Sequence, residues 1–414
     1  MLKFGGVEVL RPGAAGYDAA RKPQIERFAH IEPALIARCR STADVIEALA
    51  LARREGQPLA VRSGGHCFAG RSSTRGVLID TSGLDTISLD AAVVTVGAGA
   101  RLAAIYDALA PHERTIAGGC GATVGIAGLA LGGGLGVLGR RYGLTCDQVT
   151  SAEVVLASGD VVEADGDLLW ALRGSGGGQF GIVTRLTLKT VPAPPTKCFH
   201  ITHPLTEAAA LIDWWQRVSP DAPEETAASL VVRPDGVHLF GVGDIDAETT
   251  EAMPYREAKR WLTENGPPEQ PASDERSKSE FFRDLIPAGT IAALIEHFEH
   301  GTGARELDFS PWGGAYNRQP DATAFPHRDA RFLLKHTGPP DWVERAYAIT
   351  HPHGTGGAYV NFPDPHLPDW ETAYHGANYP RLQEVKARFD PDEVFRFPQS
   401  VAVPRSGEAA SGRG

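Results

Sequence analysis

Cysteine, basic clusters and long apolar runs are all scarce in this chain, and each scarcity excludes something. Five cysteines (39, 67, 120, 146 and 198) stand in 414 residues, and no two form a C-x-x-C pair. Neither a disulfide framework nor a zinc site of that pattern is indicated, and reduced thiols are expected for Cys39, Cys146 and Cys198. Lysine and arginine total 40 against 51 acidic residues, a net charge of −11, and basic residues gather only in pairs such as Arg53-Arg54 and Arg140-Arg141. Nucleic acid and anionic membranes reward basic patches, so neither is an expected partner. The opening residues, Met1-Leu2-Lys3-Phe4-Gly5-Gly6, lack the charged, apolar and cleavage regions of a secretory leader, so a cytoplasmic location is expected. The least polar stretch, 124–139, falls short of the roughly 20 apolar residues a membrane span needs and runs into Arg140-Arg141. It reads as a buried Gly-rich element. No internal repeat is seen.

What is present is the composition of an ordinary globular protein, 42% hydrophobic and 22% charged, long enough for two domains or one large unit with an insertion. Ser41-Thr42-Ala43-Asp44 opens a helix in which Val45, Leu49 and Ala52 share a face and which Gly56 ends. Strands are expected over 59–61, 77–80 and 93–96, a helix over 101–109, and a hairpin from 151–157 and 161–164. A further strand, 182–190, ends at Val191-Pro192-Ala193-Pro194-Pro195, which cannot continue a ladder and marks the best domain boundary. Beyond it, 200–335 mixes amphipathic helices (208–218, 251–263) with strands at 230–233 and 237–241. The polar segment 266–278 reads as a surface loop. A strand over 358–362, a helix near 380–389 and a disordered tail over 404–414 complete the pattern.

The segment Val61-Arg62-Ser63-Gly64-Gly65-His66-Cys67-Phe68-Ala69-Gly70 carries the chemistry: an apolar run meets a Gly-rich turn with a histidine at its tip. Glycines at 64 and 65 let successive N–H groups converge on phosphate oxygens. Further glycine segments follow at Gly118-Gly119, Gly132-Gly133-Gly134 and 174–178. They fit a long ligand with a pyrophosphate, wrapped along its length, and equally fit close packing of backbone on backbone. Residues 134–139 match G-x-G-x-x-G, but no strand precedes them, so a nicotinamide-dinucleotide site is discounted.

In sequential order stand the 61–70 turn, Thr123-Val124-Gly125-Ile126-Ala127-Gly128 with Gly132 to Gly134, Arg141-Tyr142-Gly143-Leu144 with Asp147, and Asp167-Leu168-Leu169-Trp170 through Gly181. Near the C-terminus come Tyr359-Val360-Asn361-Phe362 and Tyr374-His375-Gly376-Ala377-Asn378-Tyr379-Pro380-Arg381-Leu382. Together these resemble the berberine-bridge-enzyme-like branch of the vanillyl-alcohol-oxidase flavoproteins. The resemblance implies an α+β fold: a PCMH-type FAD-binding domain from 1–195 plus 350–403, with an inserted substrate domain, 196–349, of antiparallel sheet flanked by helices. It implies FAD as cofactor, covalently bound through His66. Arg62, Ser63, Gly64, Gly65, Gly70, Gly118, Gly119, Thr123, Val124, Gly125, Gly128, Gly132, Gly133, Gly134, Gly181, Ile182, Val183, Asn361 and Asn378 are its implied surroundings. Many members add a cysteine link to flavin C6. Cys120 lies one residue out of step with that position, where Gly121 stands, so it is either a second link reached through a loop bulge or a loop thiol.

The implied activity is that of an FAD-dependent oxidase or dehydrogenase. It takes a hydride to flavin N5 from a small alcohol, sugar-like or secondary-metabolite substrate, and O2 or another acceptor then reoxidises the flavin. The chain departs from the family at the base: relatives place a tyrosine where Phe362 stands, and a phenyl ring cannot accept a proton. Tyr359 remains. On an expected strand over 331–337, Phe332, Leu334 and His336 share one face, and His336 is either a base above the flavin or a surface histidine. His351-Pro352-His353 reads as two loop histidines. The missing tyrosine also leaves open a flavoprotein that shapes a substrate without net oxidation.

Overall fold

The computed structural model describes residues 2–4, 6–245, 249–266, 275–318 and 323–404. Its helix Thr42–Glu55 starts where expected, and for the expected reason. Ser41 Oγ accepts from the Asp44 N–H while Asp44 accepts from the Ser41 N–H, at 3.2 and 3.1 Å. Gly56, at φ 59°, ends it in the left-handed conformation that glycine adopts without strain.

That helix lays Val45, Ala48, Leu49 and Ala52 on a five-stranded sheet ordered Leu2–Phe4, Val7–Leu10, Leu35–Arg38, Val77–Asp80, Leu59–Arg62. The last three strands are parallel. A second five-stranded sheet is antiparallel, ordered Val161–Glu163, Val149–Val155, Ile182–Lys189, Val93–Gly97, Ile87–Asp90. Helices Leu102–Leu109, Ile126–Leu131 and Gly166–Leu172 bury their apolar faces in its core. Leu382 and Val385, from the late helix Tyr379–Phe389, join the same core. Lys386 fixes this return of the chain: fully buried, it donates to the Gln179 and Phe395 carbonyls at 2.6 and 2.7 Å and pairs with Asp390 at 2.7 Å. A buried ammonium is tolerated there because each of its three donors is taken.

The third large sheet has six antiparallel strands, ordered Cys198–His203, Gly236–Val242, Ala227–Arg233, Glu306–Pro311, Phe332–Gly338, Arg276–Phe282. One face packs against helices Ala208–Val218, Ala288–Glu299 and Pro340–Thr350, with Leu230, Val232, Leu307, Phe309, Phe332 and Leu334 at the contact. The other face looks toward the glycine loops. Two buried arginines tie the layers together. Arg140 donates to the carbonyls of Pro220, Ala222 and Trp312, and Arg328 pairs with Asp147 at 2.6 Å. The fold is α+β.

Two expectations change. Arg276–Phe282 is a strand rather than the end of a surface loop, while 267–274 of that loop lie outside the described residues. Residues 358–362 form no ladder: the Phe362 N–H donates to the Tyr359 carbonyl at 2.8 Å, closing a turn. The tail expected over 404–414 lies, beyond Pro404, outside the described residues. Among the described residues no helix is long and apolar enough to cross a membrane.

Candidate active site

Between the glycine loops and the free face of the six-stranded sheet lies a cavity of about 720 Å³, within the size range of small-molecule and cofactor sites. Its loop wall is mostly backbone. Ser63, Gly64, Gly65 and His66 line it, together with Gly119, Cys120, Thr123, Val124, Gly125, Gly128, Gly181, Ile182, Val183 and Asn361. Gly65, at φ 79°, adopts the left-handed conformation that an anion nest requires. Gly64 serves a different end. A Cβ there would sit 2.2 Å from the Gly125 nitrogen, so the two loops touch backbone to backbone. Gly128 has nothing within 4 Å of an added Cβ and faces open cavity.

Other expected cofactor residues stand behind this wall. Gly132 is packed against Asn361, Gly133 against Phe325 and Tyr359, Gly134 against Thr145, Gly118 against Tyr106 and Gly70 against Phe28. Their glycine character is required by close approach of the protein to itself. Arg62 is buried, donating to the carbonyls of Ala20, Arg21 and Ser72, and Asn378 donates to the Ala324 carbonyl. Both brace loops from outside the cavity.

His66 is held at the wall by Thr123, whose Oγ lies 2.9 Å from Nε2. Burial, and then the Arg101 guanidinium, keep its ring below the ordinary imidazole range, so the neutral form prevails at neutral pH. Cys120 lies on the same cavity, with Lys259 Nζ 3.7 Å from its sulfur. Lys259 is a buried lysine of the helix Tyr255–Asn265, donating also to the Gly118 and Gly119 carbonyls at 2.6 and 3.1 Å. Burial opposes its ammonium, but Cys120 and Tyr106 more than offset it and the ammonium is held above its usual range. No local motif marks Lys259 in the sequence. Its signal was a lysine beside Ala258 and between Tyr255 and Leu262 on the helix's buried face.

The sheet wall is made of side chains, and strand alternation decides which. Ser229, Val231 and Arg233 face the cavity from one strand, Glu306, Asp308 and Ser310 from the next, and Lys335 from the third. His336, one residue along, therefore faces the helices. It is fully buried, with Nε2 3.2 Å from Thr350 Oγ1, and burial lowers its pKa to about 3. Phe332, Leu334 and His336 share a face as expected, but it is the helix-packed face, because the cavity side of the sheet is the polar one. Tyr359 does line the cavity, yet its hydroxyl oxygen accepts from the Gly134 N–H at 2.8 Å and from Asn361 Nδ2 at 3.1 Å, and burial pushes its pKa up. Phe362 lines the cavity beside Phe68, ring centroids 5.9 Å apart. His351, with His353 in a short 3-10 turn, pairs with the buried Glu280 at 2.9 Å, a carboxylate that the local sequence did not reveal.

A family model for an FAD binding domain matches residues 33–165, and one described as berberine and berberine like matches 358–402. The FAD-linked oxidoreductase YgaK of Bacillus subtilis is 32% identical over 424 residues, covering 91% of this chain and 92% of its own. This chain belongs to the berberine-bridge-enzyme-like FAD-linked oxidoreductases. Aclacinomycin-N/aclacinomycin-A oxidase of Streptomyces galilaeus is 31% identical, with 88% of this chain and 84% of that one covered. Among solved structures, BBE-like 1 of Physcomitrella patens superposes with a TM-score of 0.89 at 26% identity, covering 97% of this chain and 98% of that one. As a member of the family this chain is an FAD-binding oxidoreductase with a PCMH-type fold. The loop wall fits that cofactor: it offers a left-handed glycine turn at Gly65, a neutral imidazole beside it and open space over Gly128.

Proposed function

We propose that this enzyme oxidises a hydroxyl-bearing small molecule, with covalently held FAD as the immediate electron acceptor and O2 or another acceptor restoring it. The observation that carries this reading is one cavity with two unlike walls: the His66 turn on one side, and a row of charged and hydroxyl side chains on the other. Bound FAD would supply a two-electron acceptor for hydride at N5.

The chain's own residues do the rest. Ser63, Gly64 and Gly65 would hold the pyrophosphate, and His66 would anchor the flavin through its 8α-methyl. With Nε2 engaged by Thr123, Nδ1 is the ring nitrogen left for that bond. Cys120 would provide a second tether, its thiolate favoured by the Lys259 ammonium 3.7 Å away. The sheet wall would bind hydroxyls through Ser229, Ser310 and the carboxylates, while Phe68 and Phe362 cover apolar substrate surface and exclude water. Buried thiols at Cys39, Cys146 and Cys198 accord with a cytoplasmic location, which is part of this reading.

The test is anaerobic. Purified holoenzyme is mixed with a panel of alcohols and sugars while flavin absorbance is followed. Bleaching by at least one compound is expected; a panel that leaves the oxidised spectrum intact contradicts the reading.

A further inference from the structure

The cavity contains a cluster that the cofactor does not explain. On the sheet wall Lys335 Nζ lies 3.2 Å from Asp308 Oδ2 and 3.4 Å from Glu306 Oε1, and Glu306 is also paired with Arg233. The same ammonium lies 5.2 Å from the centroid of the Phe362 ring. Two cations and two anions thus meet on one wall, with Lys335 over the Phe362 ring, which cannot take a proton.

Oxidation of an alcohol releases a proton as well as a hydride, and some group in the cavity has to accept it. Among the described residues lining the cavity, Glu306 and Asp308 are the only carboxylates and His66 the only histidine. His66 is committed to Thr123 and the cofactor, and the Tyr359 oxygen to two N–H donors. The Tyr316 hydroxyl is tied to the Gly136 carbonyl at 2.9 Å. Glu306 sits between two cations, which hold its carboxyl in the charged form against the opposing effect of burial. Asp308 is bound more lightly: Oδ2 faces Lys335, and Oδ1 accepts the Ser310 hydroxyl at 3.3 Å. Its side chain is also the most exposed of the four, 22% against 16–17% for the others.

We infer that Asp308 is the proton acceptor of the reaction and that Lys335 stabilises the oxygen from which the proton leaves. The inference rests on the oxidoreductase function proposed above. As the substrate C–H bond breaks, its electron pair leaves with the hydride, for which bound FAD would be the acceptor. The O–H bond breaks with it, its proton passes to an Asp308 oxygen, and the electrons left on the substrate oxygen form the second C–O bond of the carbonyl. The proton then leaves to solvent through the cavity mouth. Lys335, held as an ammonium by Asp308 and Glu306, favours negative charge on the substrate oxygen before the carbonyl is complete. Arg233 and Ser310 complete the polar neighbours of the pair.

The experiment uses holoenzyme and a compound that bleaches the wild-type flavin. Asp308→Asn is expected to slow anaerobic flavin reduction about 100-fold or more. It should also remove the acidic limb of the kcat/KM pH profile, with KM, FAD content and Tm little changed. Asp308→Ala should regain rate with added formate, which places a carboxylate in the vacated space, and Asp308→Glu should recover part of it directly. Reduction of Asp308→Asn within threefold of wild type, with an unchanged pH profile, overturns the assignment while leaving the oxidoreductase reading standing. A slow Asp308→Ala that formate does not rescue, with lowered Tm or FAD content, also overturns it and makes Asp308 structural. Failure of every panel compound to bleach the wild-type enzyme defeats the underlying reading and this inference together.

Discussion

The two walls of the cavity are built on opposite principles. The loop wall is backbone: turns at 63–66 and 123–128 meet so closely that Gly64 and Gly125 exclude any side chain between them. The sheet wall is side chain: Arg233, Glu306, Asp308 and Lys335 come from three strands spread over about a hundred residues of chain and are brought level by antiparallel register. A backbone wall suits a ligand that every relative shares, because main-chain N–H groups do not depend on residue identity. A side-chain wall suits chemistry that varies, since one substitution on an exposed strand face leaves the ladder intact. The comparison with relatives falls the same way: the FAD binding domain model covers 33–165, and neither matched model reaches the six-stranded sheet.

The largest expected effect comes from breaking the backbone wall. In Gly64→Val the new Cβ would sit 2.2 Å from the Gly125 nitrogen and 3.0 Å from the Thr123 carbonyl oxygen, and neither backbone atom yields cheaply. A destabilisation of about 3 kcal/mol is expected, with loss of bound FAD, read by thermal unfolding and flavin absorbance. Gly128→Ala sharpens the contrast. Its Cβ meets nothing within 4 Å, and the residue lies inside the helix Ile126–Leu131. Stability should therefore hold or rise by about 0.5–1 kcal/mol, while FAD uptake weakens because the methyl enters the cavity. Equal losses of stability in both variants would erase the distinction between packing and cradling glycines.

Those two glycines also mark how much was legible. The turn at Gly64-Gly65-His66, the capping box of Ser41 and Asp44, and most strands announced themselves through local rules of turn, cap and alternation. Which glycines touch a ligand and which touch the protein did not, because both uses demand the same missing side chain. Alternation likewise put Phe332, Leu334 and His336 on one side of a strand, but parity cannot say whether that side meets helices or a cavity. The charged cluster was invisible because its members are neighbours only once three strands pair. Arg276–Phe282 was missed because its polar start continues the loop composition before it, and 358–362 was over-read because an apolar run can close a turn as well as a ladder.

A smaller effect separates the two faces of the sheet. His336 on the helix side has its pKa lowered by burial to about 3, and the buried His327 and His375 are lowered by burial to about 4 and about 3. In the unfolded chain each ring takes up a proton near ~6.5, so below that pH the unfolded state binds more protons and stability falls as pH drops. The loss begins near pH 6.5, continues toward pH 3 to 4, and amounts to about 1.4 kcal/mol per pH unit for each ring. His336→Leu should flatten the fall of Tm between pH 6.5 and 5 by one ring's share and leave the pH dependence of flavin reduction unchanged. A shift of the catalytic profile in His336→Leu would return that residue to the reaction.

The central claim is that the Gly64-Gly65-His66 turn holds FAD by a bond through His66. The mass of the denatured protein tests it most directly, with a flavin-peptide digest to locate the bond. The wild-type chain should be heavier than its polypeptide by one FAD, and the digest should yield a flavinylated peptide containing His66, with a second attachment at Cys120. A wild-type chain that denatures to its bare polypeptide mass, releasing FAD into solution, would contradict the claim.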